Sequence, residues 1–261
     1  MSYNNYLEKL FALQGRVAVV IGGGGHLCGE MAVGLASAGV KVAVVDKRLE
    51  KAKKICQRIK RRSGTAIPLT IEATSKISHQ ETLASVKKEF GQVDILINGA
   101  GINAPTPFLE IKEEEWHAIL DSHITATFLG CQVFGEHMVR RQKGSIINIS
   151  SASSGPPLSK AFTYSVAKAG VKNLTQNLGR EWAKKNVRVN ALRPGFFPTQ
   201  WSMKHFIDKD REQAILGHTP MGRYGKPPEL VGAVLWLCSE AAGFVTGAEI
   251  AVDGGFSCMT I

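Results

Sequence analysis

Short apolar runs rich in β-branched residues recur along the chain at 16–21, 41–45, 66–71, 93–97, 145–149, 187–192 and 248–252. Each is four to six residues long and nearly continuous in its hydrophobicity, the pattern of strands buried on both faces. Between them lie stretches in which apolar residues return every three to four positions, at 27–38, 48–62, 76–90, 112–141, 159–185 and 227–239. That spacing is helical. Strand and helix therefore alternate from end to end, and parallel strands need such crossovers. The expected fold is α/β: a single-domain, doubly wound, Rossmann-like parallel sheet of seven strands with helices on both faces.

No repeat, low-complexity run or linker divides residues 1–261, so one domain is expected. The one stretch without a clean period is 194–228, where PGFFPTQWSMKHF and HTPMGRYGKPPE mix proline, glycine and aromatics. Following a strand end, it is expected to be a lid over a substrate.

Composition narrows the class. At 44% hydrophobic and 21% charged, the chain has enough apolar material for a full core. No apolar run approaches the roughly 20 residues that span a bilayer, and the first residues show no secretory pattern, so a cytoplasmic protein without a membrane partner is expected. The five cysteines at 28, 56, 131, 238 and 258 are scattered and lack metal-ligand spacing. They read as reduced thiols, with no metal site. The net charge of +10 is concentrated in KRLEKAKKICQRIKRR at 47–62, with nine basic residues against one glutamate. Leu49, Ala52, Ile55, Cys56 and Ile59 fall on one helical face there, so the cations form a solvated face. No base-reading motif accompanies them, and no nucleic-acid partner is expected.

The chemistry begins after the first strand, at IGGGGHLCGE (21–30). A glycine-rich turn between strand and helix brings backbone amides and the positive helix end to a pyrophosphate. The fingerprint G-x-G-x-x-G fails here in every register, so the turn is judged by its surroundings. Asp46 ends the second strand, 17 residues after Gly29, where a carboxylate can accept both ribose hydroxyls of NAD. Lys47 and Arg48 could hold a 2′-phosphate, but Asp46 would repel one; NAD is favoured over NADP.

A second constellation lies in INISSASSGPPLSKAFTYSVAKAG. Tyr164 and Lys168 are four apart on a helix and share a face, and Ser151 lies at a strand end 13 residues earlier. Tyrosine, with a pKa of about 10, is a poor base at neutral pH, but a nearby ammonium and a nicotinamide cation favour its phenolate. A tyrosine so placed can exchange a proton with a substrate oxygen while hydride moves to or from a nicotinamide.

With these motifs in order, the chain resembles the short-chain dehydrogenase/reductase family from about residue 11 to 256. The resemblance rests on the glycine turn at 22–29, Asn98-Gly99-Ala100-Gly101, Ser151, Tyr164-Ser165-Val166-Ala167-Lys168, Pro194-Gly195 with Thr199, and Val252-Asp253-Gly254-Gly255. It implies that Tyr164 is the acid/base, that Lys168 binds nicotinamide ribose and lowers the tyrosine pKa, and that Ser151 positions the carbonyl. It also implies cofactor contacts at Gly23, His26, Leu27, Gly29, Asn98, Pro194, Gly195 and Thr199, and an assembly often tetrameric through the helices at 112–141 and 159–185. Phe128, Phe134, Val171, Leu174 and Leu178 suit such pairing, and suit packing within the chain equally well.

Two positions depart from the family pattern. Leu27 replaces a turn glycine, and His123 stands where many members carry an asparagine that holds a water linking the lysine to solvent. A histidine there can hydrogen-bond water and titrate near neutrality, or simply pack. The GGGG turn with its leucine, PGFF and HTPMGRYGKPPEL are similar to sugar-acid oxidoreductases of the family, such as D-mannonate oxidoreductase and gluconate 5-dehydrogenase. The expected reaction is hydride transfer between NAD(H) and a secondary alcohol or ketone of a small polar substrate, a sugar acid or polyol. The alternatives are a 3-oxoacyl thioester reductase and a catalytically weak cofactor-binding regulator. Arg193, before Pro194, either pairs bidentately with a substrate carboxylate or is salt-bridged to an Asp or Glu on a neighbouring helix.

Overall fold

The computed structural model describes residues 3–259. Seven strands, β1 Val17–Ile21, β2 Lys41–Asp46, β3 Ala66–Thr70, β4 Ile95–Asn98, β5 Gly144–Ile149, β6 Val187–Pro194 and β7 Glu249–Val252, form one sheet. Their order is β3-β2-β1-β4-β5-β6-β7, and every pairing is parallel. The chain direction across the sheet reverses between β1 and β4, which opens a crevice beyond the carboxyl ends of those strands.

Alternate strand residues feed two cores. Ala18, Val20, Val42 and Val44 pack under α2 (His26–Ser37), α3 (Leu49–Lys60) and α10 (Val231–Cys238), with Met31, Leu35, Ile59 and Leu237. Val17, Val19, Ala43 and Val45 face the other way, against Val86 of α4 (Lys76–Phe90) and Phe134 and Met138 of α6 (Ala126–Arg141). The basic segment is α3: Ala52, Ile55, Cys56 and Ile59 are buried, while Lys53 pairs with Glu50 and Arg58 with Glu30.

Four features differ from the pattern's expectation. A further helix, α1 (Tyr3–Leu10), precedes the first strand. The helix expected over 112–141 is α5 (Glu113–Leu120) joined to α6 through one π-helical stretch, Asp121–Thr125. The lid at 194–228 is not irregular throughout, since it holds α8 (Gln200–Phe206) and α9 (Lys209–Gly217). The remaining long helix, α7 (Phe162–Trp182), starts three residues later than its periodicity indicates. Among the described residues no helix is long and apolar enough to cross a membrane, and no His/Cys/Asp/Glu group could hold a metal ion.

Candidate active site

The glycine turn is shaped by close approach. Gly22 has φ +76°, and a Cβ on it would lie 2.8 Å from the Ala100 amide nitrogen across the crevice. A Cβ on Gly23 would meet the Val20 carbonyl at 2.7 Å, and one on Gly29 would press into Ile55 of α3. Leu27 lies in the first turn of α2 and has no positive φ, so the departure from glycine costs no backbone strain. Gly25, the N-cap of α2, gives no side-chain cap, which leaves amides at the helix start for an anion. His26 is exposed at this mouth.

Asp46 binds the turn to its own strand end. Its Oδ2 accepts from the Gly24 amide at 3.1 Å and its Oδ1 from the Arg48 amide at 3.0 Å. Each oxygen keeps a lone pair for a ribose hydroxyl. Lys47 is drawn away into an ion pair with Glu72 at 2.8 Å. The residues thus fit a dinucleotide: a turn that a Cβ would fill, free helix-start amides and an acceptor carboxylate at the adenosine end.

The candidate reacting side chains converge from two elements. Ser151 follows β5 and caps the short helical turn Ala152–Ser154, accepting from the Ser153 amide at 3.2 Å. Tyr164 is on the first turn of α7, and Lys168 lies one turn on, with Nζ 5.5 Å from the tyrosine ring centre. Lys168 is buried and donates to the Ile149 carbonyl at 2.6 Å. Burial holds its ammonium down to about 8. Burial also pushes the Tyr164 hydroxyl above its ordinary value, with a hydrogen bond to Ser151 opposing. In the chain alone, then, desolvation outweighs any help from the lysine, and the phenol is neutral.

His123 lies within the π-helical stretch, and its ring meets the Tyr164 ring edge to face at 5.0 Å. Nε2 is 2.8 Å from the Ile102 carbonyl. A carbonyl only accepts, so Nε2 carries the proton and Nδ1 is a bare acceptor; Nδ1 is buried without a partner. Burial and the Lys168 charge hold the imidazole down to about 3. Of the two roles open to His123, packing and titration near neutrality, burial beside the Lys168 charge favours the first, because a second positive charge is penalised in this buried place. Gly101 exists for the same ring: a Cβ there would overlap it.

Other residues named from the sequence are engaged within the chain as follows. The side chain of Asn98 turns into the sheet, where Nδ2 donates to Asn148 Oδ1 at 2.8 Å. Thr199 uses its hydroxyl to cap α8, accepting from the Ser202 amide at 3.1 Å. Pro194 ends β6, and Gly195 is pressed against Asp253, where a Cβ would lie 2.6 Å from Cα. Arg193 pairs with Glu249 at 3.3 Å. That partner is on the neighbouring strand β7, and the carboxylate-binding role for Arg193 falls with it.

A cavity of about 500 Å³ opens beside the reacting groups. Its walls include Ser151, Tyr164, Ile102, Phe196 and Phe206, with Asn103 and Arg211 among the polar ones. Sequence reading had singled out neither Asn103 nor Arg211. No spacing marks them; only the folding of the lid back over α7 brings Arg211 there.

An α/β sheet with a dinucleotide crevice and a Ser, Tyr and Lys at its rim defines a nicotinamide-type oxidoreductase. The family model described as enoyl-(acyl carrier protein) reductase matches residues 27–257, and the chain belongs to the short-chain dehydrogenase/reductase family. It is 37% identical to the uncharacterized oxidoreductase UxuB of Bacillus subtilis, over 94% of this chain and 95% of that one. It is 32% identical to 5-keto-D-gluconate 5-reductase of Escherichia coli, over 95% and 98%. Among solved structures, a gluconate 5-dehydrogenase from Burkholderia cenocepacia in complex with NADP and tartrate has a TM-score of 0.92 at 30% identity, covering 97% of this chain and 100% of that one. A protein from Haemophilus influenzae described as a D-mannonate oxidoreductase, with bound NAD, has a TM-score of 0.90 at 33% identity, covering 95% and 97%.

Proposed function

We propose that the protein interconverts a secondary alcohol and a ketone on a sugar acid, using NAD(H) in preference to NADP(H). The carrying observation is that Ser151 and Tyr164 open onto one cavity while Lys168 lies buried behind the tyrosine ring. The relatives that act on gluconate and ketogluconate support the substrate class. Asp46, and the engagement of Lys47 by Glu72, support the cofactor preference.

When bound, the nicotinamide supplies hydride acceptance or donation. The residues of the chain do the rest. In reduction, the neutral Tyr164 hydroxyl donates its proton to the substrate oxygen, and the Ser151 hydroxyl donates a hydrogen bond to the same atom, steadying charge as it develops. In oxidation, Tyr164 must first lose its proton, and the Lys168 ammonium beside the ring favours the phenolate. Gly23, Leu27 and Gly29 shape the pyrophosphate cradle, and Asp46 takes the adenosine ribose. His26 borders the cradle, and Pro194, Gly195 and the Thr199 cap border the nicotinamide end.

We read the assembly as a cytoplasmic homotetramer. Phe128, Phe162 and Val166 leave apolar surface exposed on α6 and α7, which supports helix pairing, whereas Phe134 and Val171 are consumed inside the chain.

The test is a screen of the purified protein with NAD and NADP against sugar acids, polyols and 3-oxoacyl thioesters. Turnover of a sugar acid with NAD is expected. Turnover confined to thioesters with NADPH would replace this reading with a thioester reductase, and binding of NAD without turnover would replace it with a cofactor-binding regulator.

A further inference from the structure

Arg211 is the single charged residue among the described residues lining the catalytic cavity. It is the third residue of α9, whose N-cap Asp208 accepts from the Arg211 amide at 2.9 Å. From there the guanidinium reaches the loop that leads into α7, where Nη2 donates to the Ser159 carbonyl at 2.7 Å. Its Nη1 is buried and has no hydrogen-bond partner.

Among the described residues no carboxylate forms an ion pair with it. Asp208 lies nearby, but its carboxylate is held at 2.9 Å by Lys160. Burial draws the Arg211 charge down, with only Asp208 opposing from a distance. One nitrogen of the guanidinium, Nη1, is thus buried without an acceptor, a costly arrangement in a folded chain, and the natural complement of the planar donor fork is a carboxylate.

The same cavity holds a second unmatched group of opposite sense. Asn103 Oδ1 is buried without a partner, and it is an acceptor. Ile102, Leu158, Phe196, Phe197 and Phe206 make much of the remaining described wall apolar, and its other polar side chains are hydroxyls without charge. One unpaired cationic donor and one unpaired acceptor, placed with Tyr164 and Ser151, match a molecule carrying both a carboxylate and hydroxyls.

We propose that Arg211 recognises the substrate carboxylate, so that the cavity takes a polyhydroxy carboxylate whose reacting carbon lies at Tyr164 and Ser151 while Asn103 Oδ1 accepts from one of its hydroxyls. This rests on the sugar-acid reading above and names the residue that enforces it. The lid is then a selectivity element: its α9 carries the one charge that tells an acid from the corresponding neutral polyol.

The test compares wild type with Arg211→Met and Arg211→Lys, using two readouts. The first is kcat/KM on matched pairs of a sugar acid and its neutral polyol. The second is calorimetric titration of tartrate, a small hydroxy acid, into NAD-loaded protein. Arg211→Met is expected to reduce the preference for acid over polyol by about 10- to 100-fold, chiefly through KM, and to weaken tartrate binding similarly. Arg211→Lys should fall between, since it keeps the charge and loses the fork. An unchanged acid-to-polyol ratio, or tartrate binding equal in wild type and Arg211→Met, overturns the proposal. If Arg211→Met loses both activities by unseating the lid, Arg211→Lys decides: a raised KM for the acid alone supports the role, and an equal loss on both substrates overturns it. If wild type turns over neither acid nor polyol, the proposed reaction fails, and tartrate titration decides the role of Arg211 separately.

Discussion

Arg193 and Glu249 meet across β6 and β7, with Nη1 to Oε2 at 3.3 Å and both side chains about nine-tenths buried. Glu249 is opposite Ala191 in the register, so Arg193 is its diagonal neighbour on the same face. The carboxylate does more than neutralise an arginine. Its Oε1 accepts from Ser150 and from Ser154, each at 2.6 Å, and Lys172 approaches Oε2 at 3.4 Å. Arg193 Nη2 in turn reaches the Ala152 carbonyl at 3.5 Å. The segment on either side of Ser151 is thereby tied to the last two strands.

Replacing Glu249 with Gln should therefore cost stability and rate together. Removing one partner leaves buried cations without compensation, a loss of about 3 kcal/mol in urea unfolding. Looser anchoring of residues 150–154 should lower kcat while the Kd for NAD, read by fluorescence titration, holds. Arg193→Lys should act on a sugar acid and a neutral polyol alike, because the structure uses Arg193 for Glu249 and not for substrate.

Tyr164→Phe retains the ring and its contact with His123 but removes the proton. Turnover should fall by roughly 10²- to 10⁴-fold with NAD binding intact. The wild-type pH profile carries the sign of the pKa shifts. Reduction uses the neutral phenol, which burial favours, so its rate should stay level from pH 6 to 8. Oxidation requires the phenolate and should climb with pH, then lose slope as Lys168 gives up its charge at about 8. A reductive rate that climbs with pH over this range would contradict the assignment.

Asp46→Asn keeps an acceptor for the turn amides and removes the negative charge. The ratio of NADP to NAD affinity should rise by about tenfold, equivalent to roughly 1.4 kcal/mol, as repulsion of a 2′-phosphate disappears. Wild-type protein that binds NADP more tightly than NAD in the same titration would sink the cofactor preference.

His123 makes the fold sensitive to acid. Its folded pKa of about 3 lies below the ordinary 6.5, so the unfolded chain binds the proton more readily. The stability contributed by neutral His123 is complete above pH 6.5 and is lost as pH falls toward 3, at a slope of roughly 1.4 kcal/mol per pH unit. His123→Asn should flatten the stability curve over that window, and thermal melts from pH 7 to pH 4 will read it. His79 and His137 are also depressed by burial and will keep part of the slope.

Local physics made much of this protein legible in its residue order. A parallel sheet covered on both faces favours apolar strands, and β1, β2 and β4 appear as such, while β6 interrupts its run with Arg188 and Asn190 and the edge strands β3 and β7 are only partly buried. Tyr164 and Lys168 had to share a helical face because four residues make about one turn, and the glycine turn declared itself because only glycine tolerates those close approaches. Partnership over long sequence distance was not legible. Glu249 lies 56 residues from the Arg193 it neutralises, and Arg211 lies 52 residues from the Ser159 carbonyl it reaches. Both arginines look alike in the sequence, yet one is ion-paired with a glutamate across a pair of strands, while the other lines the candidate cavity and, among the described residues, pairs with no carboxylate. His123 likewise could have been a titrating relay or a buried neutral ring, and the choice came from packing against Tyr164 beside a buried ammonium. An ionisable side chain takes its role from the charges and the desolvation around it, and those are set only when distant segments close over one another.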